Sequence, residues 1–572
     1  MKLLLTAINA KYIHSNLAVY SLKAYADRKD MDIQILEYTI NHYEEDMLQE
    51  IYKQKGDILC FSCYIWNIDL VLSLVKEFHK ICPQVPIWLG GPEVSYDAYE
   101  VLKNHEEVSL VMMGEGEETF RELLQMVQEQ NIDRSEIKGI AYRKDDGTIQ
   151  VNQPREALNM DQLPFVYKEE DIAQFEHKIM YYETSRGCPF SCSYCLSSVD
   201  HGVRFRNIEL VKKELQFFLD HRVKQVKFVD RTFNCHRDHA RNIWEYLVEH
   251  DNGVTNFHFE ISADILTEED LVLFQTMRPG LIQLEIGVQS TYEPTIEEID
   301  RTMDLERLTK IVAQINAFEN IHQHLDLIVG LPYENYERFI QSFNDVHHMK
   351  PNQLQLGFLK VLKGSKMHRM REEYGIAYWD KAPYEVLYTK WISYDEVLRL
   401  KGVEEMVEVY YNSNQFVYTL QYLLHFFKTP YAFYEALSLY YEKEGLHLLK
   451  HNRLARYEIL MDFVKEQALE CTGLELDVLE EIMLYDLYLR ENIKKRPSWA
   501  KDVISVEMKK KYQMYYKEHK TSHIEPFSFD VKKTASTGTR VRESMDIAFH
   551  YEERNPLTYE AIIKKVTPLQ MP

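Results

Sequence analysis

With 572 residues, the chain is too long for one hydrophobic core, so about two to four domains are expected. A formal net charge of −23 argues against a nonspecific nucleic-acid binder, because phosphates would be repelled, and eight cysteines in so long a chain do not make a disulfide framework. The N-terminal apolar run ends at Asn9 and Lys11, and no stretch approaches the roughly 20 apolar residues of a membrane span, so the composition reads as a soluble, reducing, cytoplasmic protein.

Strand patterns at 2–8, 34–38, 58–62, 87–89 and 110–113 alternate with helical ones at 16–26, 69–80 and 96–104. That order predicts a doubly wound parallel sheet over 1–135, with ligands beyond the carboxyl ends of its strands. Three loops at those ends carry suggestive residues: Ser62-Cys63-Tyr64-Ile65-Trp66-Asn67, Gly90-Gly91-Pro92-Glu93 and Gly114-Glu115-Gly116-Glu117. Glycines there let backbone amides approach a ligand closely. Residues 136–175 read as a linker with a small hairpin at 140–142 and 149–151. A second βα series follows over 176–375, with strands at 180–183, 226–229, 257–261, 281–286, 324–329 and 353–358. Six such units without dinucleotide-binding glycines predict a partial (β/α)6 barrel, whose active site belongs at the C-terminal mouth. Residues 376–572 are predicted mostly helical, at 384–398, 403–411, 415–427, 430–444, 452–468 and 477–492, with short strands at 527–531 and 545–551. Residues 494–520 hold nine Lys or Arg against three acids and read as a solvated face.

The chemistry concentrates after the first strand of the second series. Gly187-Cys188-Pro189-Phe190-Ser191-Cys192-Ser193-Tyr194-Cys195 has the spacing C-x3-C-x2-C. It supplies three thiolates, whereas a structural tetrahedral metal takes four protein ligands. For zinc, the nearest later candidates are His201 and Cys235, and neither gives a familiar pairing. A redox C-x-x-C pair would explain Cys192 and Cys195 but not Cys188. A cubane iron–sulfur cluster held by three cysteines keeps one iron open for chemistry.

This run resembles the cluster motif of the radical S-adenosylmethionine (SAM) enzymes. The resemblance implies a [4Fe–4S] cluster on Cys188, Cys192 and Cys195, SAM chelating the open iron, and reductive cleavage to a 5′-deoxyadenosyl radical. It also implies SAM contacts at Tyr194, Asp230, Arg231, Glu260, Glu285, Gln289, Ser290 and Val329, although the Gly-Gly-Glu that many members carry after the second strand is missing here. The structural alternative for Glu260 and Glu285 is a salt bridge inside the barrel, with Arg231 as one partner.

The order of a doubly wound domain followed by such a barrel resembles the cobalamin-binding subgroup. Cobalamin contacts are then expected at Asn9, Ser62, Tyr64, Trp66, Gly90, Gly91, Pro92, Glu93, Gly114, Glu115 and Gly116. Glu93 stands where related loops often have histidine, and no Asp-x-His-x-x-Gly pattern offers a lower ligand to cobalt. The implied activity is methyl transfer to an unactivated carbon or phosphorus. Cyclisation or rearrangement is an alternative, as is a methylthiotransferase-like enzyme with Cys60, Cys63 and Cys82 on a second cluster, or a cluster-bearing sensor without turnover. Expected partners are a small-molecule or peptide substrate and a low-potential electron donor such as a flavodoxin or ferredoxin. The helical C-terminal region is expected to cover the barrel mouth, and Tyr410, Tyr411, Asn412 and Asn414 stand out in it. No acid or base is assigned.

Overall fold

The structure is a computed structural model that describes residues 1–26, 31–129, 133–199, 202–467 and 473–566; His201 lies outside them. The N-terminal sheet contains β1 (Lys2–Asn9), β2 (Asp32–Thr39), β3 (Ile58–Ser62), β4 (Ile87–Gly90), β5 (Leu110–Met112), β6 (Ile140–Arg143) and β7 (Ile149–Val151), in the order β2-β1-β3-β4-β5-β6-β7. The first five strands are parallel. Leu3, Leu4, Leu5, Ala7 and Ile8 of β1 are all buried, as a strand covered on both faces requires. The covering helices include Leu17–Ala26 and Ile68–Ile81, and also Glu44–Lys53 and Glu117–Glu129, which the sequence reading missed. The hairpin expected within a linker joins this sheet instead: β6 pairs antiparallel with β5, Ile140 opposite Met112, because Ile140, Ala141 and Tyr142 are apolar enough to be buried there.

The second series forms β8 (Met180–Tyr182), β11 (Gln225–Phe228), β12 (Asn256–Ile261), β13 (Ile282–Gln289), β14 (His322–Val329) and β15 (Gln353–Phe358), all parallel. The sheet order β15-β14-β13-β12-β11-β8 leaves β8 and β15 as its edges. Between β8 and β11 lies a two-strand stem, β9 (Ser185–Arg186) with β10 (Arg204–Phe205), antiparallel. Side chains alternate across each strand, so Leu325, Leu327 and Val329 of β14 face the covering helices while His322, His324, Asp326 and Ile328 face inward.

Both barrel edges are closed by flanking regions. At β8, His14 bridges to Ile179; the Ile179 amide donates to the Ile13 carbonyl at 2.7 Å and the Ser15 hydroxyl to the Ile179 carbonyl at 3.0 Å. At β15, the Asn412 side chain mimics a strand partner, accepting from Leu354 N at 2.9 Å and donating to Leu354 O at 2.9 Å. Asn412 ends a π-helical turn, Val407–Asn412, that continues the helix Tyr394–Met406. That helix starts later than the sequence suggests: Ser393 and Glu396 form a capping box, and 386–388 becomes β17 (Val386–Tyr388), paired with β16 (Ala377–Tyr378). Tyr410 and Tyr411 are packing groups, donating to or sharing hydrogen bonds with Tyr441 and the Pro351 carbonyl.

Helices Val417–Leu423, Pro430–Lys443, Arg453–Gln467 and Leu476–Arg490 complete the C-terminal region, followed by a three-stranded antiparallel sheet of β18 (Ser522–Phe527), β19 (Met545–Arg554) and β20 (Ala561–Val566). The strand expected at 527–531 stops at Phe527, because Asp530 caps the helix Val531–Thr537 by accepting from Lys533 N. The basic segment holds the helix Val506–Glu518, largely exposed except for Tyr512. Among the described residues no helix is long and apolar enough to cross a membrane.

Candidate active site at the barrel mouth

Gly187 starts the cysteine loop at φ +104°, and a side chain there would meet the Gly202 carbonyl oxygen at 2.1 Å, so only glycine fits between the stem strands. Cys188, Cys192 and Cys195 all line one cavity of about 190 Å³ at the mouth. Three thiols on one loop around one cavity suit a group that takes three protein ligands. The loop is held from outside: Ser198 Oγ donates to the Cys192 and Cys195 carbonyls at 2.9 and 2.6 Å, and Ser193 N to Ile299 O at 2.9 Å. Burial pushes the Cys192 thiol up, opposed by the half-buried Arg301, whose guanidinium lies 3.8 Å from its sulfur and also donates to the Gly287 carbonyl. Cys188 Sγ sits 3.7 Å from Thr232 Oγ1.

Tyr194, Arg231, Glu260, Glu285 and Gln289 line the same cavity. Gln289 sits at a bulge in β13 with φ +71°, and its buried Oε1 has no hydrogen-bond partner, as a group waiting for a ligand would. Three expected contacts are placed elsewhere. Asp230 is fully buried and accepts from Thr184 N at 3.0 Å, Thr184 Oγ1 at 2.6 Å and Ser185 Oγ at 2.6 Å, so it anchors the start of the cysteine stem. Burial pushes its carboxyl up to about 6 against those hydrogen bonds. Ser290 is buried behind the bulge and donates to Glu334 at 2.7 Å. Val329 lies on the outward face of β14, three residues from the inward Asp326. Sequence reasoning missed Arg301, Thr232 and Asp326, which line the cavity. Asp326 was legible in principle, from alternation along β14.

Below the mouth the barrel interior is polar, in rungs set by the strand register. Tyr181, Lys227, His258, Gln283 and His322 lie level, then Glu260, Glu285, His324 and Gln353, then Gly287, Asp326 and Gln355. Lys227 forms the ion pairs with the two glutamates, at 2.9 Å from Glu285 and 3.8 Å from Glu260, while the charge of Arg231 also acts on Glu260. Burial alone would raise Glu285, but His258 at 3.0 Å and Lys227 hold it well below the carboxylate range. Burial and the neighbouring Glu285 push Glu260 up to about 7. His324 lies 3.0 Å from Asp326. Where the sheet ends, a second cavity of about 270 Å³ is lined by Gln353 and Gln355 together with Glu404, Glu408 and Asn412 of the C-terminal region.

The N-terminal strand ends face this mouth. Burial pushes the Tyr64 phenol up, opposed by a hydrogen bond with Ser62, and charges of the barrel, Arg231 and Glu183, act on it. Tyr64 stacks on Trp66 with centroids 4.4 Å apart, and Trp66 remains 42% exposed. Gly91, at φ +111°, packs on the Cys63 backbone, and Ser62 and Gly90 end adjacent strands. Pro92 opens the short helix Pro92–Ser95. A side chain at Gly114 would find open space, whereas one at Gly116 would meet Leu22. Trp66, whose Nε1 donates to the Ile8 carbonyl at 3.0 Å, keeps an exposed aromatic face at the strand ends that suits stacking on a planar cofactor.

Three other expected contacts are already committed. Asn9 Nδ2 donates to His14 O and Glu37 Oε1; Glu93 is buried and accepts from Tyr384; Glu115 pairs with Arg204. Cys60 and Cys63 are buried in the apolar N-terminal core, which pushes both thiols up.

Family models match three stretches: a B12 binding domain over residues 3–124, the radical SAM superfamily over 182–346, and a protein family of unknown function, DUF4080, over 372–549. The chain is 27% identical over 351 residues to the cobalamin-dependent radical SAM methyltransferase TokK of Streptomyces tokunonensis, covering 57% of this chain and 50% of that protein. It is 29% identical over 309 residues to 2-(S-pantetheinyl)-carbapenam-3-carboxylate methyltransferase of Streptantibioticus cattleyicolor, covering 50% and 44%. The chain thus spans about half the length of these relatives. The solved structure of OxsB, a cobalamin-dependent SAM radical enzyme with aqua-cobalamin and SAM bound, superposes with a TM-score of 0.58 at 16% identity, over 84% of this chain and 78% of that one. The chain thus joins a B12 binding domain to a radical SAM domain with three cysteines, and is homologous to cobalamin-dependent radical SAM methyltransferases.

Proposed function

We propose that the protein is a cobalamin-dependent radical SAM methyltransferase acting on an unactivated carbon or phosphorus of a small molecule or peptide, supplied with electrons in the cytoplasm by a flavodoxin- or ferredoxin-type carrier. The observation that carries this reading is the single cavity shared by three thiols, Tyr194, Arg231, Glu260, Glu285 and Gln289, opposite the strand ends that carry Tyr64 and Trp66. Cys188, Cys192 and Cys195 would hold the cluster, and Tyr64, Trp66 and the glycine loops at 90–91 and 114 would hold cobalamin. When bound, these groups supply the electron that cleaves SAM and a metal able to carry a methyl group.

The chain's own residues supply placement and shielding. Arg301 sets positive charge against Cys192, favouring the thiolate. Lys227 and His258 hold Glu285 ionised, an acceptor for hydroxyl or ammonium groups of a bound molecule. The flanking regions hydrogen-bond to both sheet edges and so fix the barrel that carries the mouth.

The test is anaerobic reconstitution with iron, sulfide and hydroxocobalamin, followed by reduction with SAM present. The reading expects cluster iron, bound cobalamin, 5′-deoxyadenosine and, with substrate, S-adenosylhomocysteine. Cobalamin that never binds would move the reading to a cobalamin-free radical SAM enzyme; 5′-deoxyadenosine without S-adenosylhomocysteine in the presence of a converted substrate would move it to a cyclase or rearrangement enzyme.

A further inference from the structure

The acids of Gly114-Glu115-Gly116-Glu117 meet the stem of the cysteine loop. Arg186 and Arg204 stand directly opposite each other across β9 and β10, an arrangement that repels unless anions intervene. The anions come from both sides. Arg186 Nη2 lies 2.9 Å from Glu117 and 2.8 Å from Glu183, and its Nη1 is 3.4 Å from Glu115. Arg204 pairs with Glu115 and donates to the Leu158 carbonyl at 2.5 Å, while Leu158 N donates to Glu115 at 2.9 Å. The Glu117 carboxylate is only 8% exposed, so this is no surface pair.

The stem has no slack above this point. Arg186 is followed by Gly187, wedged against Gly202, and then by Cys188. On the other side, Gly114 and Glu115 lie two and three residues past the end of β5, and Glu117 begins the helix Glu117–Glu129. One short run of the N-terminal sheet therefore grips the two strands from which the cysteines emerge.

We propose that Glu115 and Glu117 are positioning residues: through Arg186 and Arg204 they fix the cysteine loop relative to the N-terminal strand ends, and so set the distance between cluster and cobalt. This rests on the cobalamin and SAM reading above. It gives the Glu-x-Glu pair a task distinct from touching the cofactor.

The experiment uses the full chain loaded with cluster and cobalamin and reduced with dithionite, so that both metal centres are paramagnetic. Pulsed EPR then reads how strongly the reduced cluster speeds the relaxation of cob(II)alamin. In the E115Q/E117Q variant this enhancement is expected to be lost, with iron content, cobalamin occupancy and substrate-free SAM cleavage retained. The reciprocal E115R/R204E variant, which restores one ion pair, is expected to recover the enhancement in part. Unchanged relaxation in E115Q/E117Q overturns the proposal, and if that variant does not fold, failure of E115R/R204E to recover coupling overturns it instead. A wild type that loads cluster and cleaves SAM but takes up no cobalamin overturns the underlying reading, a result separable from either variant outcome.

Discussion

At the barrel mouth, charged and thiol side chains line one cavity; at the N-terminal strand ends, several of the side chains expected to meet a cofactor hold the protein together instead. Cys188, Arg231, Glu260 and Gln289 share a cavity, and Gln289 has an unpartnered buried oxygen. Asn9 secures its own loop through Glu37, Glu93 is fastened to Tyr384 of the C-terminal region, and Glu115 grips Arg204. Leaving a polar atom buried and unpaired is costly, so a group bound at the mouth that donates to Gln289 Oε1 would be favoured. A glycine-flanked acid at a strand end carries no such obligation and is free to become an interface residue.

That contrast can be broken experimentally, most severely at the thiols. Replacing any one of Cys188, Cys192 or Cys195 with alanine should abolish 5′-deoxyadenosine formation and the cluster's visible absorption; a variant retaining both would remove that cysteine from the ligand set. Arg301→Met removes the only cation described within reach of Cys192 Sγ, and should slow reductive SAM cleavage about tenfold to a hundredfold, the range expected for losing a charge-assisted contact. Trp66→Ala should weaken cobalamin binding about tenfold in equilibrium dialysis, through loss of an aromatic contact surface. Tyr384→Phe leaves buried Glu93 short of a donor and should lower the thermal midpoint while cobalamin occupancy stays at the wild-type level. If occupancy falls instead, Glu93 belongs to the cofactor site after all.

The smallest effect concerns pH. Glu260 is held up to about 7, against an unfolded value of about 4.3. Between those values the native carboxyl keeps a proton that the unfolded chain has released, so its contribution to stability falls as pH rises from about 4 to 7. Glu260→Gln should flatten that fall, and thermal midpoints at pH 5 and pH 7.5 will show whether the wild type loses more than the variant.

The six barrel strands were legible because each is a short apolar run bounded by an amphipathic helix, and the cysteine spacing pinned the first of them. The polar interior was not legible as such. Lys227, His258, Glu285 and His324 alternate with apolar residues, a pattern that looks the same whether the polar face meets solvent or a closed lumen. Asp230 and Ser290 were placed in the site by resemblance to strand-end segments of the family, whereas the strand-end turn and the bulge after Gly287 aim them into the protein. Arg301 was missed because it lies beyond the helix Glu293–Glu298 and returns to the mouth only through the fold. The helices Glu44–Lys53 and Glu117–Glu129 were hidden by dense charge that dilutes their apolar stripe.

The edge closure at Asn412 bears on how the protein is made. A ribosome delivers the cysteine loop and all six barrel strands before it delivers the residue that occupies the free rim of β15. Until Asn412 arrives, that rim offers unpaired amides and carbonyls to any passing strand. Nascent chains stalled or truncated before residue 412 should therefore pair with one another more readily than the finished protein, and metal insertion is best timed after the C-terminal region has docked.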